Sequence, residues 1–308
     1  MDGERSKWVR EAYFHTKGEL RLDNVRASLR KMLEKLQKPH DAIHQFIYTP
    51  AQITSRSEGS QTQIPIWPTM SALLIYHWEA FYTAHRSFLE ALSAFYNVAF
   101  ATLRISLELI IKGAFYECLA RKECRENWHI SNKNKESVNL KGFLMDVLQR
   151  SPPLENDLRE ISGSIFDMLA PVIDDSAYRP SFRVIISQVD HWGMFKPIED
   201  ADDLVYRQLY QPLSGDVHVI PDKTDIGRVI LTDSSRLFDE PKVRPDALEE
   251  HADYLKRIMD VGIVVTLNLL ENVISSHDWV KDNLRNLIIE FEALELPLSS
   301  RKARSFVE

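Results

Sequence analysis

Apolar residues recur along most of this chain at intervals of three and four, the spacing that lines one face of an α-helix. Residues 6–16 and 22–37 read as a charged amphipathic pair, the second with Val25, Leu29, Met32, Leu33 and Leu36 on one stripe. Pro39 is expected to open a shorter helix through Tyr48. Residues 49–66 are polar, rich in Ser, Thr and Gln, and bounded by Pro50 and Pro65, which marks a linker and the main boundary of the chain. The division expected is a helical segment over 1–50, a linker over 51–66 and a helical-bundle domain over 67–308.

Beyond the linker the pattern predicts a helix from Pro68 to about Leu92, a break near Ser93, and a further helix to about Glu123. Residues 125–139 read as a loop, followed by shorter helices over 140–150 and 154–169. The stretch FRVIISQV, within 172–199, has the β-branched content of a strand. A single strand would have no partner here, so helix is preferred. A helix runs from Asp202 toward Pro212. Pro245 then opens a long one to about Ser276, with Asp246, Glu249 and Glu250 favouring its positive N-terminal dipole. The last helix covers 279–295. The fold class is all-α, a helical bundle.

Composition narrows the function classes. Ten glycines in 308 residues is under half the roughly 7% that is usual, and the closest two, Gly215 and Gly227, lie twelve positions apart. No glycine-rich phosphate loop can be drawn, which excludes the dinucleotide fingerprint and the P-loop. Gly215 is expected at a turn or a close helix approach. A net charge of −7 repels nucleic acid in bulk, so any RNA contact must be a local basic patch. Cys118 and Cys124 are too few for a disulfide framework or a four-thiolate metal site. MDGERSKWVR has no apolar stretch behind its charges, so a cytoplasmic protein without a secretory leader is expected. VGIVVTLNLL is half the ~20 residues needed to span a bilayer. The longer run 91–111 carries Arg104 and Glu108 near its middle, so membrane insertion is not expected.

Those two charges are the first candidates for chemistry. Arg104 and Glu108, four apart, share one face of an otherwise apolar helix, with Asn97 and Ala101 extending the face toward the N-terminus. They form either a self-neutralising ion pair or one wall of a polar pocket. A second set follows in YRQLYQPLSGDVH. If it is helical past Pro212, Tyr210, Ser214 and His218 are spaced i, i+4, i+8 on one side. His218 titrates near neutrality and is the best general acid or base in the chain. Ser214 lacks a third group in sequence to orient the imidazole, so a hydrolytic triad is weakly supported. Ser214 and His218 could instead close hydrogen bonds to Arg104 or Glu108.

The pairing of TLRISLELIIKGAFYE with YQPLSGDVH resembles the HEPN-like group of small helical prokaryotic proteins, in particular members with an R-x-x-x-E helix and an S-x-x-x-H helix. The likeness covers roughly residues 70–124 and 190–220. It implies a HEPN-like core with extra N-terminal and C-terminal helices, often a homodimer, in stress, toxin or phage-defence settings. The residues themselves, a charged pair inside an apolar helix and the later Ser/His pair, set the expected polar site as Arg104, Glu108, Ser214 and His218, with Tyr210, Asn97 and Arg207 contacting the ligand and no cofactor. HEPN ribonucleases use an Arg-x(4–6)-His motif, from which the chain departs, since Arg207 and His218 are separated by ten residues. A metal-independent ribonuclease, with His218 as base and Arg104 stabilising phosphate charge, is the first alternative. A structural homo-oligomer, with the 245–276 helix pairing with a copy of itself, is the second.

Other stretches are weaker. Arg10-x4-His15 and Arg244-x6-His251 fit the ribonuclease spacing at a frequency chance would supply, though Arg244 and His251 flank a helix start that would welcome phosphate. His40 and His44 have i, i+4 ligand spacing but no third ligand can be named, so no metal is expected. His77 and His85 read as core or edge aromatics. Arg121, Lys122, Arg125, Trp128, Lys133, Lys135 and Lys141 form a basic loop, and Arg26, Arg30, Lys31, Lys35 and Lys38 a basic helical face.

Overall fold

In the computed structural model, the residues described are 29–30, 32–54, 72–119, 124, 127, 181–217 and 244–308, and every element among them is helical. The expectations for 6–16, 125–139, 140–150 and 154–169, for Arg10 and His15, for most of the basic loop and for His218 lie outside the described residues.

The first helix, α1 (Leu33–Thr54), runs through both Pro39 and Pro50 and into the segment whose polarity reads as linker. Tertiary contacts keep its last turn helical. Ile53 is fully buried, and the Asn283 side-chain amide donates to the carbonyls of Gln52 (3.1 Å) and Ile53 (3.2 Å), which a helix end leaves unpaired. The basic face of α1 is not free: Lys35 pairs with Glu249 and Lys38 with Glu295, each at 2.6 Å.

Helices α2 (Ala72–Leu92) and α3 (Tyr96–Leu119) form an antiparallel hairpin broken at Ser93, as the pattern predicts. Ala94 takes the left-handed conformation (φ 65°) and Phe95 N–H bonds to the Glu90 carbonyl at 2.9 Å. This closure usually calls on glycine. Next come α4 (Phe182–His191), confirming helix for FRVIISQV, α5 (Asp202–Tyr210), which is π-wound, and α6 (Gln211–Val217), which continues from it past Pro212. Gly215 therefore sits within a helix and not in a turn. At the end of α4 a glycine does the capping: Gly193 has φ 78°, and Met194 N–H reaches the Val189 carbonyl at 3.2 Å.

The expected 245–276 helix breaks at Leu270 into α7 (Pro245–Leu269) and α8 (Glu271–Ser276). Helix α7 is the central element, packed against α1, α2, α3 and α10, and its residues from Ile258 to Leu269 are buried on every side. That enclosure leaves this half of the helix no face with which to pair with a copy of the chain. Gly262 permits a close approach on two sides: a Cβ there would lie 2.7 Å from Phe46 Cε2 on α1 and 3.2 Å from Ile110 Cδ1 on α3. Two histidines staple α2 to α7 in antiparallel register, His77 Nε2 on Thr266 Oγ1 (2.9 Å) and His251 Nε2 on Ser87 Oγ (2.6 Å).

Helix α9 (Asp278–Ala293) is the last one anticipated, yet α10 (Pro297–Val307) follows it. Its buried face is Ser299, Ser300, Lys302 and Ala303, which has no apolar periodicity to read. It is held instead by Asp260 of α7, whose carboxylate accepts from the backbone N–H of Leu298 (3.0 Å) and Ser299 (2.8 Å), capping from outside the helix. Burial pushes the Asp260 carboxyl above its ordinary range, against the pull of these donors. Among the described residues no helix is long and apolar enough to cross a membrane.

Candidate functional site

On α3 the face expected from the sequence is realised and one residue longer. Arg104 Nη2 lies 2.9 Å from Glu108 Oε1, and Lys112 Nζ lies 3.0 Å from Glu108 Oε2, a cation–anion–cation ladder at i, i+4, i+8. Lys112 is readable at that spacing in the sequence but passes unnoticed beside the buried pair. Arg104 and Glu108 are about four-fifths buried, at 17% and 20% exposure. The same Arg104 Nη2 donates to the Tyr210 hydroxyl at 2.6 Å, across 106 positions of sequence, and the guanidinium carbon stands 4.6 Å from the Tyr210 ring centre. Arg104 Nε is buried with no hydrogen-bond partner among the described residues.

Tyr210 is placed by two supports. Its ring packs on Phe182 of α4 (4.4 Å between centres) and stacks on Tyr206 (5.5 Å). Burial, and then the negative charge of Glu108, push its hydroxyl above the ordinary tyrosine range, with Arg104 pulling the other way. The phenol therefore stays protonated at neutral pH, able to donate to Glu108 while accepting from Arg104.

Ser214 does not turn to Arg104 or Glu108. Its hydroxyl donates to the Tyr210 carbonyl at 2.8 Å, confirming the i, i+4 helical spacing through Pro212 but satisfying the serine within its own helix. Arg207 belongs to an adjoining, more open cluster: its Nε lies 3.3 Å from Asp202, which also receives a forked pair of bonds from Arg183 (2.9 and 2.8 Å). Arg183 in turn stands 5.1 Å from the Tyr206 ring, so the two clusters join through the stacked tyrosines. Asn97 lies seven residues before Arg104 on α3, about 10 Å along the axis. The structure thus gathers Arg104, Glu108 and Tyr210, with Ser214 and Arg207 beside them.

The buried Ser–His pair of the staple has the appearance of a nucleophile and its base. The hydrogen bonds argue otherwise. Ser87 donates its single proton to the Ala99 carbonyl (2.7 Å), so His251 Nε2–H must be the donor to Ser87. Burial holds His251 at about 3, so it is neutral, and it is fully enclosed. This also removes Arg244-x6-His251 from phosphate chemistry. His77 is likewise pushed down to about 3 by burial, as befits a core histidine. His85 is different. It comes beside His40 and His44, supplying the third member that sequence spacing could not name.

Chemically, the Arg104 node carries two cations against one carboxylate, with a buried donor that has no partner among the described residues and an aromatic wall. That is the composition of a subsite for an anionic group. No family model, no curated protein and no solved structure matches the chain.

Proposed function

We propose that this chain is a cytoplasmic, HEPN-like helical protein whose Arg104–Glu108–Tyr210 node binds an anionic group of a ligand or partner. The observation that carries the reading is the Arg104 bond to Tyr210 at 2.6 Å, which brings the two sequence-marked helices together at one point. A self-neutralising pair would need neither Lys112 nor a buried Nε without a partner among the described residues.

The test is fluorescence anisotropy with a labelled single-stranded RNA oligonucleotide, repeated with inorganic phosphate as competitor. A charge-assisted hydrogen bond is worth roughly 1.5–3 kcal/mol, so Arg104→Gln is expected to weaken binding about tenfold or more. Lys281→Gln, on α9, should bind as wild type does. Equal affinity of wild type and Arg104→Gln, with only stability lowered, would return the node to a structural role.

The ribonuclease reading draws on the same contact, because Tyr210, which meets Arg104, opens the i, i+4, i+8 sequence spacing that ends at His218. RNA cut by wild type but not by His218→Ala supports it; equal cutting by both removes it. The homodimer implied by the resemblance is read by light scattering, where a monomer at working concentration counts against it.

A further inference from the structure

We propose that His40, His44 and His85 form a three-nitrogen site for a divalent transition metal, zinc foremost, in the groove between α1 and α2. Each of the three offers a ring nitrogen, and these atoms all lie within 4.8 Å of one another. His40 and His44 stand one turn apart on α1, and His85 faces them from α2. The ring centres are 4.7 Å (His40–His44), 4.9 Å (His44–His85) and 5.7 Å (His40–His85) apart.

The distances and the tautomers suit a metal. Two nitrogens each about 2.05 Å from a tetrahedral zinc are separated by about 3.3 Å. His85 Nε2 and His44 Nε2 are 3.3 Å apart. His85 Nδ1 lies 3.1 Å from the Phe81 carbonyl, which can only accept, so Nδ1 carries the proton and the Nε2 lone pair faces inward. His40 Nδ1 lies 3.2 Å from the Asp41 carboxylate, which fixes that ring in the same sense. Backbone carbonyls and carboxylates in this outer position orient metal-binding histidines and raise their basicity. Burial, with repulsion among the three rings, holds His44 and His85 below the ordinary histidine range, which favours the neutral rings that each keep one free nitrogen lone pair.

Phe81 packs against His85 (4.4 Å) and Phe88 lies 6.0 Å from His40, giving apolar walls. All three histidines remain partly exposed. Three protein nitrogens and an open side are the composition of a site that keeps a coordination position for water or substrate. A purely packed trio of core rings would be enclosed as His77 and His251 are. The inference rests on residues separate from the Arg104 node, and neither reading depends on the other.

The experiment uses the full chain, stripped with chelator and titrated with Zn²⁺ by calorimetry and with Co²⁺ by its visible absorption. One equivalent per chain is expected, with the intense Co²⁺ bands of a four-coordinate site and a thermal midpoint raised by Zn²⁺. His40→Gln, His44→Gln and His85→Gln should each weaken binding by at least about tenfold and abolish the thermal shift. Each should retain the helical circular dichroism of the metal-free wild type, since the side chains are only partly buried. His277→Gln, a partly exposed histidine at the α8–α9 junction, should bind as wild type does. Absence of uptake by wild type, wild-type affinity in His85→Gln, or an equal loss in His277→Gln would overturn the proposal.

Discussion

Replacing Gly262 with alanine sets two effects against each other, and the structure decides the sign. In an open helix the change would add stability of about 1 kcal/mol, because glycine is the poorest helix former after proline. Here the new Cβ would stand 2.7 and 2.8 Å from Phe46 Cε2 and Cδ2, where carbon atoms normally rest at about 3.5–4.0 Å. Phe46 cannot turn aside: it is fully buried, and its ring stacks on the imidazole of His77 at 4.4 Å. The remaining relief is a shift of α7 away from α1 by most of an ångström. Overpacking of this kind costs roughly 1–3 kcal/mol, and with contacts as short as 2.7 Å from a ring that cannot move the upper part of that range applies, so after the helix gain the net expectation is a loss of up to about 2 kcal/mol. Urea denaturation followed by circular dichroism measures it, as a lower midpoint at unchanged slope. In a Phe46→Ala background the sign should reverse, because the methyl then enters the space the ring vacated. A Gly262→Ala protein as stable as wild type, or the same loss in both backgrounds, would refute the steric argument.

Two further outcomes follow from buried polar groups. His77 and His251 have folded-state values of about 3 against an ordinary 6.5, so between those limits the unfolded chain binds protons that the folded chain refuses. Stability is therefore lost as pH falls from 6.5 toward 3, by about 2 kcal/mol per histidine at pH 5. The stability gap between wild type and His251→Leu, from urea midpoints, should shift by that amount in favour of the variant between pH 7.5 and 5. Asp260→Ala would leave the Leu298 and Ser299 N–H groups without their acceptor, costing about 2 kcal/mol. Hydrogen exchange should quicken across α10 while Asp260→Asn, which keeps an acceptor, shows a smaller change.

Much of the architecture is written locally. The 3.6-residue spacing of apolar positions marks α2, α3, α4, α7 and α9, because a helix must bury one stripe whatever it packs against. The ladder of Arg104 and Glu108 is legible for the same reason, since i and i+4 meet on any helix. Local polarity misreads the end of α1 and misses α10, because both are held by Asn283 and Asp260, side chains distant in sequence that supply hydrogen bonds no nearby residue offers.

The amino-acid sequence alone thus determines that this protein is helical, that it lacks phosphate-cradling glycine loops, and that one apolar helix carries a charged stripe. Only the tertiary structure decides which residues meet. It sets Tyr210 against Arg104, brings His85 to His40 and His44, and presses the Gly262 backbone against Phe46. Periodicity states which face of a helix turns inward. The partner that face finds depends on how all the helices share one core, and that information belongs to no single segment.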